Sequence, residues 1–472
     1  MRYPSAGAEM NDLAPEIEIE DEAQSTADTD IAVVARLATA IGDRDGGAIR
    51  DILAELHPAD AADVLEQLSA DQVRQAAKLA PDAFTGELLA ELQWDLRDDV
   101  TGLLEPSQIA DAIKDLDSDD AAHVLEELDA DVREQVLSEV SDEDRTMLES
   151  HFEHEEETAG RLMQRDFVAA PDFWTVGDAI DHMRRAGEDL PDIFFDIYIV
   201  DAAFHPMGAV PVSQIMRSPR SKKLTELMDE VHIRIAPDVD QEEAAYLFEK
   251  YHLFSAPVVD EDGRLTGMLT IDDMVDVIQE ENKEDMLALA GVNDAGLSDS
   301  VIDSVRSRAP WLLVNLATAI LASGVIALFE DALTAIVALA VLMPIVASMG
   351  GNAGTQSLAV AVRAIASRDL TSANARRVII RELVTGIVNG VIFAVVMGLV
   401  AAVWFQNVPL AGVIALAMII NLTFAGLTGI GVPLVLRRFG ADPAVASSVF
   451  VTTVTDVIGF FAFLGLAAII LM

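Results

Sequence analysis

The chain has 472 residues, 51% of them hydrophobic, with 31 basic side chains against 79 acidic ones and no cysteine. That length holds several domains and more than one buried core. So acidic a chain repels nucleic acid and anionic headgroups and draws cations, while the lack of cysteine excludes disulfides, thiolate nucleophiles and thiolate metal sites.

The charge is unevenly spread. From Pro310 onward there are seven basic and six acidic residues, which leaves 24 basic and 73 acidic ones in the first 309, a net of −49. An excess of 25 Arg over 6 Lys also fits adaptation to high salt, which accounts for the amount of charge but not for its placement at particular sites. Residues 1–30 carry the acids Glu16, Glu18, Glu20, Asp21 and Glu22 and no apolar run behind a basic start. They are expected to be a disordered acidic tail and not a secretory signal, with the soluble part in the cytoplasm.

Residues 31–158 show helix-period apolar patterns in short units broken by Pro, Asp and Ser. One unit recurs sixty residues on: Asp60-Ala61-Ala62-Asp63-Val64-Leu65-Glu66-Gln67-Leu68 matches Asp120-Ala121-Ala122-His123-Val124-Leu125-Glu126-Glu127-Leu128. No such unit buries its own apolar face, so the pattern predicts an α-helical superhelical domain of stacked short helices.

Residues 159–280 alternate strand and helix patterns. The clearer half predicts a strand over His232–Ile235, a helix over Gln241–Tyr251, a strand over Ser255–Val259, a turn at Asp260-Glu261-Asp262-Gly263, a strand over Leu265–Thr270 and a helix from about Asp272. The half before it has the same order, with a helix over Asp178–Ala186 and strands over Ile197–Val200 and Gly208–Val212. Two copies of this α+β plan resemble a tandem pair of cystathionine-β-synthase-type (CBS) domains, modules that often bind adenine nucleotides and regulate what they are attached to.

Residues 310–472 form an all-α part with five predicted spans, Trp311–Phe329, Ala332–Ala366, Val378–Phe405, Leu410–Leu436 and Val445–Met472. Arg306 and Arg308 precede the first, Arg368 to Arg381 separate the second and third, and Arg437 and Arg438 separate the fourth and fifth. Positive-inside counting therefore predicts a multi-pass protein of the cytoplasmic membrane, N-terminus inside and C-terminus outside.

The second span, at 35 residues, exceeds a bilayer core of roughly 30 Å at about 1.5 Å per residue, so it must tilt or break. Pro344 and the run Gly350-Gly351-Asn352-Ala353-Gly354-Thr355-Gln356-Ser357 predict an unwound stretch lining a polar path, with close helix packing through the glycines as the other reading. Asn352 and Gln356 favour the path. Asp456 stands alone in Val451-Thr452-Thr453-Val454-Thr455-Asp456-Val457-Ile458-Gly459, and no Lys or His in the spans neutralises it. Such a carboxylate needs water, a partner or a cation, and it costs about 2.5–3.5 kcal/mol even on lenient insertion scales. Asn421, Thr423 and Thr452 add neutral oxygens to the same cavity. One carboxylate with neutral oxygens suits Mg²⁺, which keeps much of its water, better than Ca²⁺.

The run Pro344 to Asp369, with Val432-Pro433-Leu434, then Arg437-Arg438-Phe439-Gly440-Ala441-Asp442-Pro443-Ala444 and Thr452-Thr453-Val454-Thr455-Asp456, resembles the MgtE family of magnesium channels. The resemblance covers nearly the whole chain in order and implies a homodimer around one pore, with Asp456 as the ion-selecting carboxylate. It implies a connecting "plug" helix from about Asp273 to Gly291, within a connecting segment 273–309, that holds the pore shut when Mg²⁺ binds. The matched acidic positions are Asp273, Asp276, Glu281, Glu284 and Asp285, with Asp442 in the turn before the last span. The residues supply a mechanism: Asp273, Asp276, Glu280, Glu281, Glu284 and Asp285, at helical spacings, repel one another unless cations screen them, so low Mg²⁺ lets the domains separate.

In nucleotide-binding CBS modules a Ser or Thr followed three residues later by Asp contacts the ribose. Thr270 and Asp273 fit that pattern, so ATP is a further candidate ligand, while the first module has Pro211 and Gln214 there. The expected function is thus a Mg²⁺ channel, not an enzyme, with Mg²⁺ both carried and regulatory. The alternatives are a broader carrier of Co²⁺, Mn²⁺ or Ni²⁺ and a membrane-tethered metal or nucleotide sensor.

Overall fold

The computed structural model describes residues 19–114, 116–126, 128–187, 190–191, 193–230, 233–292, 301–371, 373–445 and 447–472. Most of the expected acidic tail and residues 293–300 of the connecting segment lie outside the described residues. Contacts divide the chain into two units, residues 1–274 and 275–472.

The first unit opens with a 24-residue helix, Ile19–Gly42, which takes in residues 19–30 of the tail expected to be disordered, and continues with short helices around one apolar core that runs from Val33 to Leu148. The repeat explains the packing. Helix Pro58–Glu66 buries Ala61, Ala62, Val64 and Leu65, and helix Ser118–Glu126 buries Ala121, Ala122, Val124 and Leu125, the same positions of the unit. Pro58 opens the first of these helices, where a missing N–H withholds nothing. Glu127 of the second copy lies outside the described residues.

In the α+β part, β1 (Ala169–Pro171) runs parallel to β2 (Asp196–Val200), β2 pairs antiparallel with β3 (Pro206–Pro211), and β3 with β4 (Asp229–Glu230). A second sheet pairs β5 (Ser255–Val259) antiparallel with β6 (Leu265–Thr270). Helices Val176–Ala186 and Gln241–Tyr251 pack in the two halves, the first closed by a Thr175–Asp178 capping box. The strand expected over residues 232–235 reduces to one parallel bridge from Ile235 to Val258, and His232 lies outside the described residues.

Helix α1 (Ile271–Ala290) leads out of β6 and stops at Gly291, whose φ of +71° only glycine adopts freely. Among its described residues the second unit then has five helices long and apolar enough to cross a membrane: α2 (Val301–Ala327), α3 (Ala338–Ala366), α4 (Ala375–Phe405), α5 (Val408–Arg438) and α6 (Ser447–Leu471). Their core joins Leu339, Leu342 and Val346 of α3 to Val413, Ile414 and Met418 of α5 and Phe463 and Leu464 of α6. The outward face of α4 exposes Val384, Ile387, Val388, Val391 and Val395, as a surface immersed in hydrocarbon requires.

One expectation fails here. The stretch Gly350 to Ser357 is not unwound; α3 runs unbroken through Pro344 and every glycine, and the chain breaks earlier, at Ile336 and Val337, after a short helix Glu330–Ala335. The cause is close packing. A Cβ on Gly350 would collide with the Asn421 amide, and one on Gly354 would lie 2.5 Å from Val451 Cγ1. Gly429 of α5 approaches from the other side, where a Cβ would lie 2.6 Å from the Gly354 carbonyl oxygen. The glycines let three helices meet at backbone distance and keep their own amides paired.

Candidate functional site

Asp456 lies midway along α6, between two α6 residues packed against neighbouring helices. Thr455, on one side, is fully buried and in contact range of Gly354; Gly459, on the other, abuts Asn421. This sets Asp456 level with residues 350–354 of α3. The side chain is half-buried and, among the described residues, makes no hydrogen bond and no ion pair. A second acid in these helices, Glu382, shows what a settled carboxylate looks like. Glu382 of α4 is 12% exposed, accepts from Ser357 Oγ at 3.1 Å and pairs with Arg381 at 3.4 Å. Among the described residues Asp456 has none of this compensation, so its charge needs a cation or water.

The neutral candidates separate into two groups. Asn352 and Gln356 are exposed one turn apart on α3, and Asn352 reaches Ser348 Oγ at 3.4 Å, giving α3 a polar stripe on an apolar helix. Gly351, beside that stripe, faces Thr452 of α6. Thr452 is half-buried and donates to the Ser448 carbonyl at 2.9 Å, and Thr423 likewise donates to Ile419 at 2.7 Å. Asn421 belongs elsewhere: it is fully buried, wedged between Gly350 and Gly459, with Nδ2 donating to the Val346 carbonyl at 2.7 Å. It therefore does not line an open surface of this chain but joins α5 to α3 and α6.

The acidic candidates lie along α1 and beyond. Asp276 and Glu284 are exposed, and Glu281 and Asp285 half-exposed. The far end of α1 docks Ala288 and Leu289 against Leu358 and Val362 of α3 and Ala444 and Val451 around the start of α6. Asp442, exposed, caps that turn by accepting from the Ala444 amide at 2.8 Å.

At the near end of α1, Asp273 faces acids of the helical domain. Burial, then the charges of Asp272 and Asp120, push its carboxyl up to about 7 against the hydrogen bond from Thr270. Asp119 is raised as well, by burial first and then by Asp273, Asp120 and Asp117, and its enclosed Oδ1 has no hydrogen-bond partner. Asp119 was not among the residues singled out from sequence. The available signal was a mismatch between the repeats, since helix Ser118–Glu126 has Asp119 where helix Pro58–Glu66 has Ala59. Among the described residues no three acidic or histidine side chains gather into a closed metal site. Carboxylates in ones and twos are the set a largely hydrated Mg²⁺ uses.

The nucleotide pair is engaged internally: Thr270 Oγ1 donates to Asp273 Oδ2 at 2.6 Å. In the first module, Gln214 Nε2 is spent on the Leu227 carbonyl at 3.1 Å.

A family model for MgtE, described as a divalent cation transporter, matches residues 343–466. The magnesium transporter MgtE of Thermus thermophilus is 31% identical over 451 residues, covering 92% of this chain and 98% of that protein. The chain belongs to the MgtE family. The MgtE intracellular N domain matches residues 56–157 and a CBS domain residues 224–280. The magnesium transporter MgtE of Bacillus subtilis is 30% identical over 426 residues, with 89% and 94% of the two chains covered. Among solved structures, the cytosolic domain of the Mg²⁺ channel MgtE in complex with ATP is 28% identical, covers 52% of this chain and 99% of that one, and superposes with a TM-score of 0.48. MgtE proteins are membrane ion transporters and not an enzyme class. The matched MgtE segment starts inside α3 and ends inside α6, and so takes in the glycine run, Asn421, Asp442 and Asp456.

Proposed function

We propose that this chain is a Mg²⁺ channel of the cytoplasmic membrane, working as a homodimer, whose five-helix part passes Mg²⁺ at Asp456 and whose acidic cytoplasmic part closes it when Mg²⁺ is plentiful. The observation that carries the reading is a half-buried carboxylate without a protein partner, level with the glycine run of α3. Asp456 would hold the ion through its water shell, and the polar stripe of Asn352 and Gln356 would ease its passage. A divalent ion stripped of little water loses little hydration energy, and one carboxylate per subunit is enough to favour it.

For closure, Mg²⁺ bound between Asp119 and Asp273 would replace the proton that burial and mutual repulsion otherwise favour there. Further ions would screen Asp276, Glu281, Glu284 and Asp285 along α1, and Asp442 at the turn its far end reaches. With the repulsion relieved, α1 stays docked at the ends of α3 and α6. ATP fits the reading only at Thr270 and Asp273, where the ribose would have to take over the bond Thr270 now makes. The N-terminus would be cytoplasmic and the C-terminus external, as the arginines favour.

The test is uptake by liposomes holding the purified chain and an internal Mg²⁺ dye. The reading expects uptake of Mg²⁺ that falls as internal Mg²⁺ rises; vesicles no more permeable than protein-free controls would overturn it. Equal uptake of Co²⁺ and Ni²⁺ would favour the broader carrier suggested by the family's description.

A further inference from the structure

From Pro310 onward every basic residue is an arginine at one end of the helices: Arg363 and Arg368 where α3 finishes, Arg376, Arg377 and Arg381 where α4 starts, Arg437 and Arg438 where α5 finishes. The turn between α3 and α4 is held by its own bonds. The Leu370 amide donates to the Ala364 carbonyl at 2.6 Å, Asn374 Nδ2 to the Asp369 carbonyl at 2.6 Å, and the Thr371 amide to Asn374 Oδ1 at 2.9 Å. Arg437 ties α5 to this turn, donating from Nη1 to the Leu370 carbonyl at 3.2 Å over a buried Leu370 side chain. The outcome is a fixed platform with Arg363, Arg376, Arg377 and Arg438 exposed on it.

None of these four has an acidic partner among the described residues. Elsewhere in this acid-rich chain arginines do find acids: Arg50 with Asp82 at 2.7 Å, Arg74 with Asp99 at 2.6 Å, Arg161 with Glu126 at 2.6 Å. Arg376 and Arg377 also stand in the first turn of α4, where the helix dipole disfavours cations unless an anion offsets it. A guanidinium's planar fork fits phosphate oxygens, and helices of this length place the platform at headgroup depth. We infer that the platform binds the headgroups of anionic phospholipids, which fix the α3–α4 turn from the lipid side.

The test uses the full chain in nanodiscs of equal phosphatidylcholine and phosphatidylglycerol, extracted in mild detergent, with retained lipid measured by mass spectrometry. The wild type should retain phosphatidylglycerol selectively, and Arg376→Gln, Arg377→Gln and Arg438→Gln combined should lose the preference by roughly fivefold per arginine. The matching triple change to Lys keeps the charge and should keep most of the preference, which separates lipid binding from misfolding. Equal retention by the wild type and the Gln variant, or equal loss in the Lys variant, overturns the inference. Full displacement by inorganic phosphate would assign the platform to a free anion and overturn it too.

Discussion

Asn421 links three helices through one amide, and its surroundings make its role testable. Nδ2 satisfies Val346, while Gly350 and Gly459 leave the room it occupies. Gly459→Ala would place a methyl 2.7 Å from Nδ2 and should destabilise the helix bundle by about 1–3 kcal/mol, a loss that Asn421→Ala partly restores by vacating the space. Thermal unfolding of the two single variants and the double variant measures this; strictly additive losses would contradict the wedge. A second residue-scale outcome concerns pH. Burial lowers His151 and His123 to about 4, so between pH 6.5 and 4 the unfolded chain takes up protons that the folded one refuses. Stability from these two imidazoles is complete above about pH 6.5 and is lost as pH falls toward 4. The stability difference between wild type and His151→Phe should therefore shrink across that window, and a constant difference would refute the neutral buried imidazole.

Legibility at this scale depended on contrast. A carboxylate among apolar residues, such as Asp456, stands out in the sequence, though a structural partner is a competing explanation there, as Glu382 with Ser357 and Arg381 shows. Asp119 is one aspartate among many on the acidic helices, marked in the sequence only by its mismatch with Ala59, and its closeness to Asp273 appears only in three dimensions. Asn421 reads as polar in either role, since a sequence does not say which neighbours surround an amide.

Among the elements, α3 teaches the same lesson about glycine. Gly350, Gly351 and Gly354 are equally suited to an unwound backbone and to close helix approach, and the deciding facts are the positions of Asn421, Val451 and Gly429 on other helices. Strands and helices with alternation or strong caps were legible almost to the residue. Helix Gln241–Tyr251 and strands β5 and β6 fall on the predicted boundaries because Asp240 caps the helix and Asp260 to Gly263 turn the hairpin. For α1, millimolar Mg²⁺ should protect residues 271–290 of the full chain from protease. Asp119→Asn should raise the Mg²⁺ needed by about tenfold, as expected for losing one of two charged ligands. Unchanged protection in that variant would remove Asp119 from the regulatory site.

At the scale of the whole molecule, charge divides the chain by function: 73 acids precede Pro310, and the arginines after it stand at one end of the helices. Because the chain has no native cysteine, single cysteines report orientation without background. In intact cells a cysteine at Met472 should react with an impermeant maleimide and one at Gly440 should not; the reverse pattern would invert the proposed topology. The carboxylate of α6, unpartnered among the described residues, is proposed to carry the ion. Mg²⁺ uptake by liposomes holding Asp456→Asn, set beside wild type at equal protein content, tests it most directly. Uptake should fall at least about tenfold, with thermal unfolding unchanged. Uptake at the wild-type rate would contradict it.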